Sequence, residues 1–189
     1  MEVVRIAEEL ESRGVDVIHL EVGEPDFPTS SSVIERACTA LEAGKTRYTD
    51  SRGVERLRDA LSAWYQSHGL DVPARRIQIT MGASGGLLLA SAATTNPGDG
   101  VLMADPAYPC NPRFVEAVGG EVHWITTDVT TQFQPTCKAL EAEVTANDRT
   151  LMLAHPANPT GQAVPRAELE RMIHWCLTTH RHLIVDEIY

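Results

Sequence analysis

Apolar residues repeat along this chain with two periods, one typical of helices and one typical of strands. Helical spacing first occurs near the start of the chain, at Val3, Ile6, Ala7 and Leu10. The same spacing predicts helices at 32–43 and 54–68, and Gly44 and Gly69 are suited to end them. Further helical patterns occur at 87–95, at 112–120, at 135–144 from near Thr136, and after Pro165.

Short apolar runs between these helices predict strands. They lie at 16–22, 77–80, 101–105, 121–127, 151–155 and 182–186. One predicted βαβ unit consists of the run 77–80, the glycine-rich loop and helix that follow it, and the run 101–105. Strands that alternate with helices of this length indicate an α/β fold, a three-layer sandwich with a mostly parallel sheet covered by helices. In such folds ligands bind beyond the carboxyl ends of the strands.

Composition and charge exclude several classes of function. The 189 residues include 26 acidic and 16 basic side chains, and no basic cluster is longer than "ARR" at 74–76, so we predict no nucleic-acid partner. The apolar stretches are shorter than the ~20 residues of a membrane span, and the first residues are too acidic for a signal peptide. We therefore expect a cytoplasmic protein with no membrane partner.

The four cysteines lie far apart in the sequence and form no CxxC pair. This spacing argues against a zinc ribbon and against a disulfide scaffold. We therefore predict no metal site, and we expect reduced thiols that mostly lie in the core.

The loop "GASGG" follows a predicted strand and opens a predicted helix. Its backbone N–H groups and the positive end of the helix are suited to hold a phosphate, with the Ser84 hydroxyl as a further donor. A tight turn that simply needs small residues is an equal alternative. A dinucleotide site is a third interpretation, because Asp105 ends the next strand, but "GASGG" does not match G-x-G-x-x-G.

Three more candidate residues follow predicted strands. Tyr108 lies between two prolines in "DPAYP", where a rigid turn can present an aromatic ring for stacking, or where the ring only plugs the sheet edge. Asn158 in "PANPTG" has an amide that can donate to a ligand oxygen, or it only shapes its loop. Asp186 ends the last strand, where it either faces a ligand or caps the strand exit.

Six segments form a pattern that is more specific than any single loop. They read "EVGEPDFPTS", "GKTRYTDSRGVERLR", "ITMGASGG", "NPGDGVLMADPAYP", "HPANPTG" and "IVDEIY". In this order and at these separations they resemble the fold-type I pyridoxal phosphate enzymes of the class I/II aminotransferase family. The resemblance spans nearly the whole chain.

The resemblance implies that pyridoxal 5′-phosphate is the cofactor and assigns a role to each candidate residue. Asp186 would hold a proton on the ring nitrogen, and Asn158 and Tyr189 would hydrogen-bond the phenolic oxygen of the ring. Tyr108 would stack on the ring face. The backbone of Ala83 and the hydroxyl of Ser84 would bind the phosphate.

The resemblance also concerns the substrate and the oligomeric state. Gly23 resembles the glycine that lines the substrate pocket, and the substrates would be an amino acid and a 2-oxo acid. Tyr48 resembles the tyrosine that reaches the phosphate of the neighbouring subunit. We therefore expect a homodimer with shared active sites.

The lysine that the family chemistry requires has no counterpart here. The chain contains only Lys45 and Lys138, and neither matches the Schiff-base lysine, which in the family follows the "DEIY" strand. We therefore expect a fragment that is inactive by itself. Residues 1–45 would belong to the small domain and its connection, and residues 46–189 would form an incomplete cofactor-binding large domain.

Three interpretations of function follow. The first is a pyridoxal-phosphate-dependent aminotransferase. The second is a protein with the same fold and cofactor but another reaction or role, such as a carbon–sulfur lyase or a regulator, because a fold does not fix a reaction. The third is a nucleotide-binding Rossmann-type module that uses "GASGG" and Asp105.

Overall fold

The computed structural model describes residues 2–189, and the chain divides after Tyr48 into two compact units. The first unit contains helix α1 (Glu2–Ser12) and helix α2 (Ser31–Glu42). Both helices were predicted from their apolar spacing, and both predictions are confirmed. The assignment of residues 1–45 to a small domain stays a prediction.

The predicted strand at 16–22 is wrong, because this segment forms neither strand nor helix. Its apolar side chains are open to solvent: Ile18 is 83% exposed and Leu20 is 88% exposed. An apolar, alternating run becomes a strand only if another strand offers its backbone for pairing. Within residues 2–48 no other segment forms a strand.

His19 attaches this irregular segment to α1. Its Nδ1 lies 2.6 Å from a carboxylate oxygen of Glu21, and its Nε2 lies 3.0 Å from a carboxylate oxygen of Glu11 on α1. Hydrogen bonds to Glu11, which has the larger effect, and to Glu21 raise the pKa of His19 to about 9. The imidazole is therefore charged at neutral pH and joins the two carboxylates.

The second unit contains five helices and four strands, with short 3₁₀ helices at Ala74–Arg76 and Val129–Thr131. The helices are α3 (Glu55–Ser67), α4 (Gly82–Thr94), α5 (Asn111–Ala117), α6 (Cys137–Glu143) and α7 (Arg166–Thr178). The strands are β1 (Gly100–Ala104), β2 (Glu121–Ile125), β3 (Asp148–Ala154) and β4 (His182–Asp186). None of the helices in residues 2–189 is both long and apolar enough to cross a membrane.

The four strands form one parallel sheet in the order β2-β1-β3-β4. The predicted strand at 77–80 is wrong, and with it the predicted βαβ unit. The segment stays outside the sheet, although the N–H of Ile79 donates to the carbonyl of Arg52 at 3.1 Å. Ile77 and Ile79 are half-buried, but a single backbone hydrogen bond does not form a β-ladder.

Alternate side chains of the strands form two cores, one on each face of the sheet. On one face, Leu102 and Leu151 pack with Leu140 of α6 and Met172 of α7. On the other face lie Val101, Met103, Met152 and Ile184, together with Leu87 of α4 and Val115 of α5. The helices therefore cover both faces, which confirms the three-layer α/β sandwich.

The amino ends of β1 and β3 and the middle of β2 meet around a buried carboxylate. Asp148 is 2% exposed and accepts hydrogen bonds from the Thr145 N–H at 2.6 Å, the Thr145 hydroxyl at 2.9 Å and His123 Nδ1 at 2.9 Å. Gly100 of β1 lies directly against this carboxylate, since a Cβ on Gly100 would come 2.1 Å from Asp148 Oδ1. Only glycine fits this position beside Asp148.

All four cysteines are free thiols. Cys137 and Cys176 are buried in the core, while Cys38 and Cys110 are exposed. The expectation of mostly buried thiols therefore holds for two of the four. Cysteine identity alone does not give burial: Cys137 of α6 and Cys176 of α7 pack in the core on one face of the sheet, whereas Cys38 of α2 and Cys110 before α5 do not.

Candidate functional site

The order of the strands creates a crevice at the carboxyl end of the sheet. β1 has β2 on one side and β3 on the other, so the connections that follow β1 and β3 leave in opposite directions. Ligands of open α/β sheets bind at such a switch point. The register pairs Met103 with Met152 and Ala154 with Asp186, so the ends of β1, β3 and β4 lie side by side.

A cavity opens at this switch point. Its lining includes residues from the ends of β1 and β3, together with Tyr108, Asn111, Gln134 and Asn158. The structure thus brings together Tyr108 and Asn158, which lie 50 positions apart in the printed sequence. Both had been predicted as ligand residues from separate loops.

Tyr108 follows β1 and is 39% exposed. Its carbonyl accepts a hydrogen bond from the Asn111 N–H at 3.0 Å, which fixes the turn between β1 and α5. The Cys110 side chain, within hydrogen-bonding reach, raises the pKa of Tyr108, and burial and the negative charge of Asp186 act in the same direction. Tyr108 therefore stays a neutral phenol whose ring is accessible for stacking.

Asp186 is the last residue of β4 and is half-buried. Its carbonyl accepts a hydrogen bond from the His155 N–H at 2.9 Å, which joins the ends of β4 and β3. Its carboxylate is close enough to Tyr108 to affect the pKa of that residue. Within residues 2–189 no hydrogen bond to this carboxylate is formed, so the alternative of a capping role has no support.

The glycine-rich segment "GASGG" is the first turn of α4, so the prediction of a separate loop is wrong. Gly82 has a φ of 73°, which lets the chain turn directly into the helix. The Thr80 hydroxyl donates to the Gly82 carbonyl at 2.8 Å, while the side chain of Met81 accepts no N–H of the first turn. Ala83 and Ser84 are exposed, so their donors face solvent at a positive helix end.

The direction of α4 places this helix end beside the crevice. A short turn joins Thr94 at the end of α4 to Gly100 at the start of β1. The 13 residues of α4 extend about 20 Å and the five residues of β1 about 16 Å, so an antiparallel helix returns past the whole strand. The first turn of α4 therefore lies at the carboxyl end of the sheet, with Tyr108, Asn158 and Asp186.

The remaining predicted site residues are Tyr189, Gly23 and Tyr48. Tyr189 follows β4 and is 75% exposed. Gly23 and Tyr48 belong to the first unit, where both are exposed. Their roles stay predictions. Lys45 and Lys138 are also exposed, and neither lines the cavity.

Two buried amides of the cavity were not identified from the sequence. Asn111 is 2% exposed and Gln134 is 4% exposed. Both residue types are usually exposed, so their identity gave no indication of burial. The one available signal is the position of Asn111, between Cys110 and a proline directly after the "DPAYP" turn.

Clusters of three or more His, Cys, Asp or Glu side chains suited to a metal ion do not occur in the described part of the chain. The crevice instead combines the positive end of a helix, an aromatic ring, an amide and a carboxylate. These groups lie at the switch point of a three-layer α/β protein. The chain belongs to the family described as aminotransferase class I and II, whose sequence model matches residues 15–189.

Relatives of known structure and sequence support this assignment. A valine–pyruvate aminotransferase of Mycobacterium tuberculosis is 39% identical over 190 residues, which cover 100% of this chain and 49% of the relative. The crystal structure of an aspartate aminotransferase from Thermotoga maritima superimposes with a TM-score of 0.92 at 31% identity, covering 99% of this chain and 50% of that one. For an aspartate aminotransferase from Thermus thermophilus with maleate, the TM-score is 0.95 at 33% identity, covering 100% of this chain and 50% of that one. The chain thus spans about half the length of the curated relatives it matches.

Proposed function

We propose that this chain forms the cofactor-binding part of a pyridoxal-phosphate-dependent aminotransferase, which transfers an amino group from an amino acid to a 2-oxo acid. The observation that supports it best is the convergence of four predicted ligand groups at one end of the sheet. These are the first turn of α4, Tyr108, Asn158 and Asp186. The named activities of the family relatives favour the same conclusion.

The donor set fits pyridoxal phosphate part by part. The N–H of Ala83 and the hydroxyl of Ser84 are exposed at the start of α4, where a helix end favours a phosphate. Tyr108 offers a neutral ring for stacking, and Asn158 offers an amide N–H to the phenolic oxygen. Asp186 offers a carboxylate that would favour a protonated ring nitrogen.

When bound, pyridoxal phosphate supplies an electron sink for the negative charge that forms when an amino acid loses its α-proton. The role of this chain would be to hold the cofactor and to polarise its ring. Asp186 would keep a proton on the ring nitrogen, while Tyr108 would fix the plane of the ring. Neither lysine of this chain is assigned the Schiff-base role, because Lys45 and Lys138 are exposed and do not line the cavity.

Several finer features belong to the same proposal. Tyr189 would donate to the phenolic oxygen beside Asn158. Gly23 would line the substrate pocket. Tyr48 would bind the phosphate of the partner subunit in a homodimer, and its complete exposure in the single chain agrees with a contact of that kind. The cytoplasmic location also stays a proposal.

A carbon–sulfur lyase or a regulator would use the same cofactor site, and the names of the relatives favour transamination over both. A Rossmann-type nucleotide module would instead need Asp105 to bind a ribose. The side chain of Asp105 is exposed and does not line the cavity. This interpretation is therefore the least supported of the three.

Ligand titrations by calorimetry with the purified chain test the cofactor site. Pyridoxal phosphate should bind, pyridoxal without its phosphate should bind more weakly, and NAD should not bind. Ser84→Ala should weaken pyridoxal phosphate but leave pyridoxal unchanged, because only the phosphate loses a donor. Ser91→Ala is the matched control, since Ser91 lies further along α4 and is completely buried. Equal affinity for pyridoxal and its phosphate would refute the assigned phosphate site.

Asp186→Ala tests the reaction in a protein that spans the full length of the family. Amino-group transfer from an amino acid to a 2-oxo acid should nearly disappear, while pyridoxal phosphate still binds through its phosphate, because the lost charge acts mainly in the transition state. With the wild-type protein, product analysis should show a new amino acid and no sulfide released from cysteine. Near wild-type transfer by the variant would mean that Asp186 only shapes the strand end.

A further inference from the structure

His155 directly follows β3, at the start of the connection to α7 that contains Asn158. Its backbone N–H donates to the Asp186 carbonyl at 2.9 Å, so this residue is attached to the end of β4. Its ring is half-buried, and Nδ1 accepts a hydrogen bond from the Val164 N–H at 3.2 Å. The imidazole therefore joins both ends of the loop 155–164, and the proposed function assigns no role to it.

The Val164 N–H depends on this ring for its acceptor. Val164 is 3% exposed and packs in the core with Leu140 of α6 and Met172 of α7, so little water can reach it. A buried N–H without an acceptor destabilises a fold. The hydrogen bond to His155 therefore keeps the two ends of the loop 155–164 together.

Two further hydrogen bonds lie inside this loop. The Ala157 N–H donates to the Gln162 carbonyl at 2.8 Å, and the Gly161 N–H donates to the Ala157 carbonyl at 2.7 Å. Ala157 is 9% exposed and lines the cavity together with Asn158. None of the hydrogen bonds that hold the loop uses the side chain of Asn158, so the direction of its amide depends on the path of the loop.

We propose that His155 is a positioning residue for Asn158, because its ring nitrogen holds closed the loop that presents the Asn158 amide to the ligand. The inference rests on the proposed function, in which this amide donates to the phenolic oxygen of the cofactor ring. Without the acceptor on His155, the ends of the loop separate and the amide loses its direction. The phosphate and stacking contacts are assigned to α4 and Tyr108, which lie outside this loop, so they should be unaffected.

Two substitutions of His155 separate the acceptor from the ring. In His155→Asn, Oδ1 is bonded to Cγ as Nδ1 is in histidine, so it can accept the Val164 N–H, whereas His155→Leu has no acceptor. The dissociation constant for pyridoxal phosphate should rise roughly 3- to 10-fold in His155→Leu, the range expected for one hydrogen bond, and should stay near the wild-type value in His155→Asn. For an analogue without the 3-hydroxyl, which is the phenolic oxygen, all three proteins should bind equally.

A double-mutant cycle with Asn158→Ala tests whether the effect acts through that amide. In the Asn158→Ala background, His155→Leu should leave the dissociation constant for pyridoxal phosphate unchanged. Asp99→Ala is the matched control, because Asp99 Oδ2 also accepts a backbone N–H, from Asn96 at 2.8 Å, at the amino end of β1. Like His155→Leu, it should lower the urea midpoint, but it should leave both dissociation constants unchanged.

Three results would show that the positioning role is wrong. They are a lower urea midpoint of His155→Leu with unchanged affinity, an equal loss for both ligands, and a loss that His155→Asn does not restore. If leucine prevents folding, His155→Ala replaces it, and the same loss confined to the ligand with the hydroxyl is expected.

The wild-type titration separates this inference from the function on which it rests. Failure of the wild-type chain to bind pyridoxal phosphate would overturn both the proposed function and the role of His155. Binding by the wild type with no selective loss in His155→Leu would overturn the role of His155 alone.

Discussion

Gly100→Ala should destabilise the fold far more than an added methyl group usually does. A Cβ at this position would lie 2.1 Å from Asp148 Oδ1 and 3.2 Å from Asp148 Cα. The first distance is shorter than any that real Cβ atoms show, so the carboxylate must move. Because Asp148 is 2% exposed, the carboxylate has no open solvent to move into.

The three hydrogen bonds of Asp148 set the size of the effect. Two come from Thr145 and one from His123, at 2.6–2.9 Å. Hydrogen bonds to a charged group contribute about 1.5–3 kcal/mol each, so the loss of two costs about 3–6 kcal/mol. Replacing glycine in a strand regains about 0.5–1 kcal/mol. The net loss of about 2–5.5 kcal/mol is a large part of a typical stability of about 5–15 kcal/mol.

A double-mutant cycle in urea, followed by circular dichroism, isolates the contact. Asp148→Ala removes the carboxylate, so adding Gly100→Ala to that variant should cost less than about 1 kcal/mol, giving a coupling free energy of about 2 kcal/mol or more. Gly23→Ala is the control, since a Cβ there meets nothing within 4 Å. An equal cost of Gly100→Ala in both backgrounds would refute the contact with Asp148 as the cause.

Two further predictions concern titrating groups. By NMR, His19 should titrate near pH 9, because the carboxylates of Glu11 and Glu21 hold its proton. Its contribution to the free energy of unfolding is complete below the unfolded pKa of 6.5 and is lost as the pH rises through 9. A titration midpoint near 6.5 would contradict this. Burial raises the pKa of Cys176 to about 11, so Ellman's reagent should titrate two thiols, Cys38 and Cys110, in the folded chain and four in urea. Rapid reaction of Cys176 in the folded chain would contradict the second prediction.

Helices and strands whose burial follows from their own pattern of apolar residues were predictable from the sequence. The run Val101–Met103 is apolar on both faces, as expected of a central parallel strand, and it is the core of β1. The apolar spacing of 169–177 likewise gave α7. In both cases the local sequence contains the information, because burial depends on which side chains share a face.

Helices and strands whose formation depends on contacts with other segments of the chain were not predictable in the same way. The runs 16–22 and 77–80 have the composition of strands, but neither finds a paired edge in the described residues. By helix propensity "GASGG" is a poor helix sequence, because glycine is a poor helix former. The positive φ of Gly82 and the packing of Leu87 against the sheet determine the helix instead, and neither is visible from composition.

The candidate site was partly predictable for the same reason. Tyr108, Asn158 and Asp186 each follow an apolar strand, and parallel strands end at one edge, so their proximity follows from topology. The burial of Asn111 and Gln134 could not be predicted, since it depends on how the turn after β1 and the segment before α6 close over the same cavity.

The strand order also has a consequence for folding during synthesis. β1 pairs with β2 through a local connection, but its other edge pairs with β3, roughly 50 residues further along the chain. At about 5–20 residues per second, a ribosome needs several seconds to supply that partner. During this interval Val101 and Leu102, which are completely buried in the folded protein, have only one neighbouring strand. The nascent chain should therefore bind holdase chaperones most strongly after β2 has emerged and before β3 has.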